Sequence, residues 1–140
     1  MTAVISTDNA QAGWLKIRIT GNTTAVANTL GSILNPEGVL LHIYDAFLYI
    51  VAQAAGAATL DLGVGVLGAD STDLASAVAM NAGLGTVIKI VGTDLASEGA
   101  AATPRGLLWA AGAYLNAFNP AAVASTLFVA DLYVHYIRLA

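Results

Sequence analysis

Cysteine is missing from this 140-residue chain, which excludes disulfide staples, thiolate zinc sites and cysteine nucleophiles. Charge is scarce as well. Charged residues make up 10% of the sequence, where an ordinary globular domain carries about 25%. A monomer of this size has too little polar surface to hide so much apolar material, so part of that excess is expected at subunit contacts, which resemble a domain core cut in half. Positive charge is the scarcest of all: Lys16, Arg18, Lys89, Arg105 and Arg138 are scattered along a chain of net charge -4 and pI near 4.7. Too few cations remain to neutralise a phosphate backbone, so no nucleic-acid partner is expected. The opening MTAVISTDNAQAG lacks a basic region followed by an apolar one, so no secretory signal is visible.

What is present is apolar: 57% hydrophobic residues and a mean hydropathy of +0.72. A chain of this length supports one core. Gly106 to Ala130 has no charge and is long enough to span a bilayer. Asn116, Asn119 and Pro120 interrupt it, and Asn116-Ala117-Phe118-Asn119-Pro120 reads as a turn between short strands, so no membrane span is expected.

The stretch Asn35 to Leu67 organises the rest. A turn signal, Asn35-Pro36-Glu37-Gly38, leads into a run rich in β-branched and aromatic residues, which breaks at Ala54-Ala55-Gly56 and resumes from Thr59 to Val66. This reads as a central β-hairpin. In strict alternation Leu41, Ile43, Asp45, Phe47, Tyr49 and Val51 share one face, while Leu40, His42, Tyr44, Ala46, Leu48 and Ile50 share the other. Both faces are apolar, and the second is expected to be covered by the closing strand and by sister subunits.

Residues 1–13 are expected to form an N-terminal arm docked on a neighbour, and 14–140 a single β domain. From Trp14 to Thr20, Leu15, Ile17 and Ile19 alternate with Lys16, Arg18 and Thr20, the pattern of a half-exposed strand. A short strand follows between Thr24 and Leu34. Leu74 to Asn81, preceded by Ser71 and Thr72 as caps, is the one helix candidate. Thr86 to Val91 returns to strand chemistry, a Gly, Ala, Ser and Pro-rich loop runs from Gly92 to Gly106, and strands are expected over Leu107–Ala110, Ala113–Phe118 and Val123–Leu139. The fold class is all-β: an antiparallel β-sandwich or jelly-roll-like barrel with one short helix and an extended N-terminal arm.

Several motifs carry two readings. Gly63-Val64-Gly65-Val66-Leu67-Gly68 satisfies a dinucleotide-binding glycine pattern. Asp70 and Asp73 would oppose a pyrophosphate there, and the following helix is too short to cross a parallel sheet. Gly63 and Gly65 instead suit a strand with a close neighbour on one face. His42 and His135 have no ligand spacing, and Asp70-Ser71-Thr72-Asp73 is only part of a calcium loop. No G-x-S-x-G, P-loop lysine or paired carboxylates in a pocket-forming context are found, so neither enzyme activity nor a cofactor or metal is expected.

The segment from Leu107 to Asn116 (LLWAAGAYLN), the closing Tyr133-Val134-His135-Tyr136-Ile137, Asn35-Pro36-Glu37-Gly38 and Leu60-Asp61-Leu62-Gly63-Val64 together resemble small virion structural proteins of tailed bacteriophages, including head decoration or cement proteins. The resemblance implies an oligomer, often a trimer, on the capsid surface, which reinforces contacts between major capsid proteins and is made in the host cytoplasm. Trp14, His42, Tyr44, Tyr49, Trp109, Tyr114, Phe118, Tyr133 and His135 are the interface candidates. The alternative is a carbohydrate- or receptor-binding β-sandwich of a tail or fibre, with Trp109, Tyr114 and Tyr133 as an exposed aromatic platform.

Overall fold

The computed structural model describes residues 2–3, 12–90 and 107–139. In chain order the strands are β1 (Thr2–Ala3), β2 (Ala12–Thr20), β3 (Asn28–Leu34), β4 (Leu41–Ala52), β5 (Thr59–Gly65), β6 (Ala75–Ala79), β7 (Val87–Ile90), β8 (Leu107–Trp109), β9 (Tyr114–Asn119) and β10 (Val129–Arg138). They form two antiparallel sheets. The larger runs β1-β2-β10-β4-β7, with β8 pairing the other end of β4 on the β7 side; the smaller runs β3-β9-β5-β6. The expected β-sandwich is what the chain adopts. Of residues 1–13, Thr2–Ala3 pair with β2 and Ala12–Gly13 belong to it; the rest of the expected arm and the loop of residues 92–106 lie outside the described residues.

The core lies between the sheets. Leu15 and Ile19 of β2, Leu41, Ile43, Leu48 and Ile50 of β4, and Leu132, Val134 and Tyr136 of β10 pack against Leu60 and Leu62 of β5 and Leu115 of β9. Strand β2 follows its alternation, with Lys16, Arg18 and Thr20 outside. The turn at Asn35 is held by its buried side chain: Nδ2 donates to the carbonyls of Val39, Trp109 and Ala110, and Oδ1 accepts from the backbone of Glu37 and Gly38.

Three local expectations are corrected. First, β4 and β5 do not form a hairpin: six linking residues carry the chain from one sheet to the other, and the closing strand β10 lies beside β4 rather than over its face. Second, the expected helix at Leu74–Asn81 is strand β6, and no helix occurs among the described residues. A segment this short is a marginal helix by itself, so pairing with β5 wins. Ser71 and Asp73 cap the β5 main chain instead: the Val64 N–H donates to Asp73 Oδ1 (2.8 Å) and Ser71 Oγ donates to the Val64 carbonyl (3.1 Å). Third, the turn expected at Asn116–Pro120 begins only at Pro120, and Asn116 lies inside β9. Its side chain accepts from Ser32 Oγ (2.5 Å) and the Gly68 N–H (3.2 Å) and donates to the Val66 carbonyl (2.9 Å), fastening the 66–73 loop over the small sheet.

That loop explains the glycine pattern. A Cβ on Gly63 would lie 2.7 Å from the Ser71 carbonyl carbon and would also meet Asp73 Oδ1, whereas one on Gly65 would make ordinary contacts of 3.6 Å and 3.8 Å. Close packing, not phosphate binding, requires Gly63. Gly63→Ala is expected to cost about 1–3 kcal/mol and Gly65→Ala less than about 1 kcal/mol. Urea midpoints of the two variants check this, and equal losses would contradict it.

Candidate functional site

The outer face of the larger sheet is set by a bulge. His135 pairs with Asp45 and Tyr136 with Ile43, so Tyr44 is one residue too many for its partner strand. Beyond it the alternation of β4 is reversed. Ala46, Leu48 and Ile50 join Leu41 and Ile43 in the core, and Asp45, Phe47 and Tyr49 move outside. The apolar second face expected of β4 is therefore largely an aromatic one.

Cross-strand register lines these side chains up in rows. The central row reads Lys16, Tyr133, Phe47, Lys89 across β2, β10, β4 and β7. Phe47 stacks on Tyr133 with centroids 4.7 Å apart and planes at 12°, Trp14 stacks on the same tyrosine at 6.5 Å, and Lys16 Nζ lies 5.8 Å from its ring centroid. Such ring pairs add about 0.5–1.5 kcal/mol each beyond the area they bury. The flanking row is Arg18, Asp131, Tyr49, Val87, and the row on the other side is Trp14, His135, Asp45. Tyr44 projects 45% exposed beside His135, with ring centroids 6.1 Å apart.

Charges thread through the rings. Asp131, only 3% exposed, accepts two bonds from Arg18 (Nε and Nη2, both 2.9 Å), and Lys16 Nζ is 3.4 Å away. The Arg18 hydrogen bonds hold its carboxyl below the usual carboxylate range, against the opposing effect of burial. Asp45 lies 3.7 Å from Lys89 and 3.4 Å from His135 Nδ1. Three of the five cations of an acidic chain thus sit on this face against two carboxylates. On the core side of the same sheet, at the end of β10, Glu37 accepts from Arg138 Nη2 (2.7 Å) and Tyr136 OH (2.6 Å). The Arg138 bond leads in lowering the Glu37 pKa, while burial and then Glu37 raise that of Tyr136, which stays a donor.

Of the nine interface candidates, Trp14, Tyr44, Tyr49, Tyr133 and His135 meet here, and His42 lies on the same sheet in register with Ile137 and Leu108. Trp109 is corrected: it is fully buried in the core, where its Nε1 donates to the Ala113 carbonyl (3.0 Å), and is closed to any partner. Tyr114 and Phe118 belong to β9 of the other sheet. Phe47, Lys16, Arg18 and Lys89 join the face without having been singled out in the sequence; only register brings them together. Among the described residues no cluster of histidine and carboxylate side chains is suited to hold a metal ion, and no helix is long and apolar enough to cross a membrane.

No protein-family model and no curated protein sequence matches the chain. Two solved structures match its fold over almost the whole length. One is a chain from the capsid of Ralstonia phage GP4: TM-score 0.61, 16% identity, covering 100% of this chain and 92% of that one. The other belongs to the capsid asymmetric unit of cyanophage Pam1: TM-score 0.51, 18% identity, covering 99% of this chain and 94% of that one. At these identities the likeness is one of fold.

The two lowered carboxylates fix the sign of the acid response. Below about pH 4 the unfolded chain takes up protons that native Asp131 and Glu37 refuse. Their contribution is therefore present above that range and is lost as pH falls through the depressed native values. Asp70, raised by desolvation and then by neighbouring Asp61, opposes this trend, so a variant isolates Asp131. Asp131→Asn is expected to lose about 1–2 kcal/mol at pH 7 and to show a shallower fall in Tm between pH 5 and pH 2.5 (about one to two pH units either side of the carboxylate range) than the parent chain. Parallel curves would contradict it.

Proposed function

We propose that this chain is a structural protein of a bacteriophage virion: a decoration or cement protein that assembles as a homo-oligomer, with three subunits the preferred number, on the capsid surface and braces the lattice of major capsid proteins. The observation that carries the reading is the match in fold, over nearly the full length of both partners, to chains of two phage capsids. The residue-level resemblance of the Asn35, Leu60, Leu107 and Tyr133 segments to such proteins points the same way. The reading is non-enzymatic and places the protein in the virion, following synthesis in the host cytoplasm.

The outer face of the large sheet suits the contact with neighbouring subunits. Stacked aromatic rings supply rigid apolar area at low entropic cost, and the ion pairs among them give orientation. Its cations select an acidic and apolar partner surface. Sugar binding fits this face less well. Phe47 and Trp14 stack against Tyr133, so the rings engage one another's faces rather than leaving a flat platform, and Trp109 is in the core.

The test is co-sedimentation with capsid lattice that lacks this protein, alongside light scattering of the free chain. The expected results are a particle of three times the 14.2 kDa chain mass and binding to assembled lattice but not to free capsid protein. Tyr133→Ala is expected to abolish lattice binding while lowering stability by about 1–3 kcal/mol, the sum of the two ring pairs it loses, and leaving the variant folded. A monomer that ignores the lattice would overturn the reading.

A further inference from the structure

A different part of the molecule is open. Strand β1 pairs with β2 only at Gly13 and Trp14, and among the described residues no strand covers that edge of β2 from Leu15 to Thr20. The phase of the edge follows from one bond: the Gly21 N–H donates to the Phe128 carbonyl at 2.8 Å, and the register with β10 runs unbroken from Thr20↔Val129 to Ala12↔Ile137. Odd-numbered residues therefore bond β10, and the main-chain groups of Lys16, Arg18 and Thr20 face outward from the sheet edge. In the smaller sheet the adjacent border is β3, Asn-Thr-Leu-Gly-Ser-Ile-Leu, which has neither charge nor proline to discourage pairing. Between the two borders the sandwich gapes in a cleft of about 130 Å³, lined chiefly by apolar residues such as Ile17, Ile19, Leu30 and Leu132, with Arg18, Ser32 and Asn116 also on its wall. That is close to the ~150 Å³ of apolar cavities that take up a benzene ring.

We propose that this seam accepts an extended segment of another polypeptide, added as a strand on β2 with alternate apolar side chains dropped into the cleft. A row of alternating donors and acceptors that no described strand pairs is matched by the backbone of an added strand, and the cleft supplies the pocket that such addition uses for specificity. Charge defines the rest of the segment. Its outward residues lie beside Lys16 and Arg18, which share the single carboxylate of Asp131, so acidic residues are favoured there. The same charges argue against a second copy of this chain, because antiparallel pairing of β2 with itself sets Lys16 and Arg18 of one copy against those of the other. The seam shares Lys16 and Arg18 with the margin of the aromatic face, but the inference does not depend on the lattice reading, since it stands on the open main-chain groups of β2 and on the cleft.

The probe is the capped peptide Thr-Val-Glu-Leu-Glu-Val-Thr, followed by amide NMR on the full chain. The expected result is saturable binding, with shifts and slowed amide exchange at Lys16, Arg18 and Thr20 and shifts at Leu30–Ile33. The same peptide with lysine for glutamate is expected to bind about tenfold more weakly, as two cross-strand charge pairs change sign, and Lys16→Glu is expected to narrow that preference. Amides of Lys16, Arg18 and Thr20 already protected in the free protein would overturn the proposal. So would equal affinity for the two peptides, or shifts confined to the aromatic face.

Discussion

Between the pairs His135↔Asp45 and Tyr136↔Ile43 the large sheet holds one extra residue, Tyr44, and the phase of its longest strand turns on it. Without that bulge, Asp45, Phe47 and Tyr49 would point into the core and Ala46, Leu48 and Ile50 to the outside. With it, aliphatic side chains fill the interior and aromatic ones gather outside, so the core and the candidate contact face are two consequences of a single register shift. A one-residue slip inverts a whole strand, which is why such devices are strongly specified.

The face that results balances apolar and ionic character. Tyr133 is its centre, stacked on Phe47 and Trp14 and approached by Lys16. Asp131 beneath it is nearly buried and is satisfied by Arg18. The ion pairs hold the rings in place more than they stabilise the fold, because the cation side chains are 46–65% exposed. An ordered, partly dehydrated surface of this kind loses little entropy on docking.

Much of this was legible in the residues. The alternation of Leu15, Ile17 and Ile19, the turn at Asn35, the long closing strand and the close packing demanded at Gly63 all follow from local chemistry, and the structure contains them. What local chemistry does not encode is partnership. A six-residue link after Ala52 serves a hairpin or a crossing between sheets equally well, and it makes the crossing. Leu74–Asn81 is Ala-rich enough for a helix until β5 offers a ladder. Asn116 has the composition of a turn but spends its amide on a distant loop. In the same way Trp109, an exposed-looking aromatic on a short strand, proves to be core, while Phe47 and the three cations join the face through pairings that no linear spacing reveals.

For the proposed capsid role, the most direct measurement is a side-chain-resolution reconstruction of this chain bound to phage capsid lattice. The expected result is Tyr133, Phe47 and Trp14 packed against a neighbouring subunit, with the Arg18–Asp131 pair intact at the edge of the contact. A particle in which this aromatic face opens onto bulk solvent, with the subunits held through other surfaces, would contradict it.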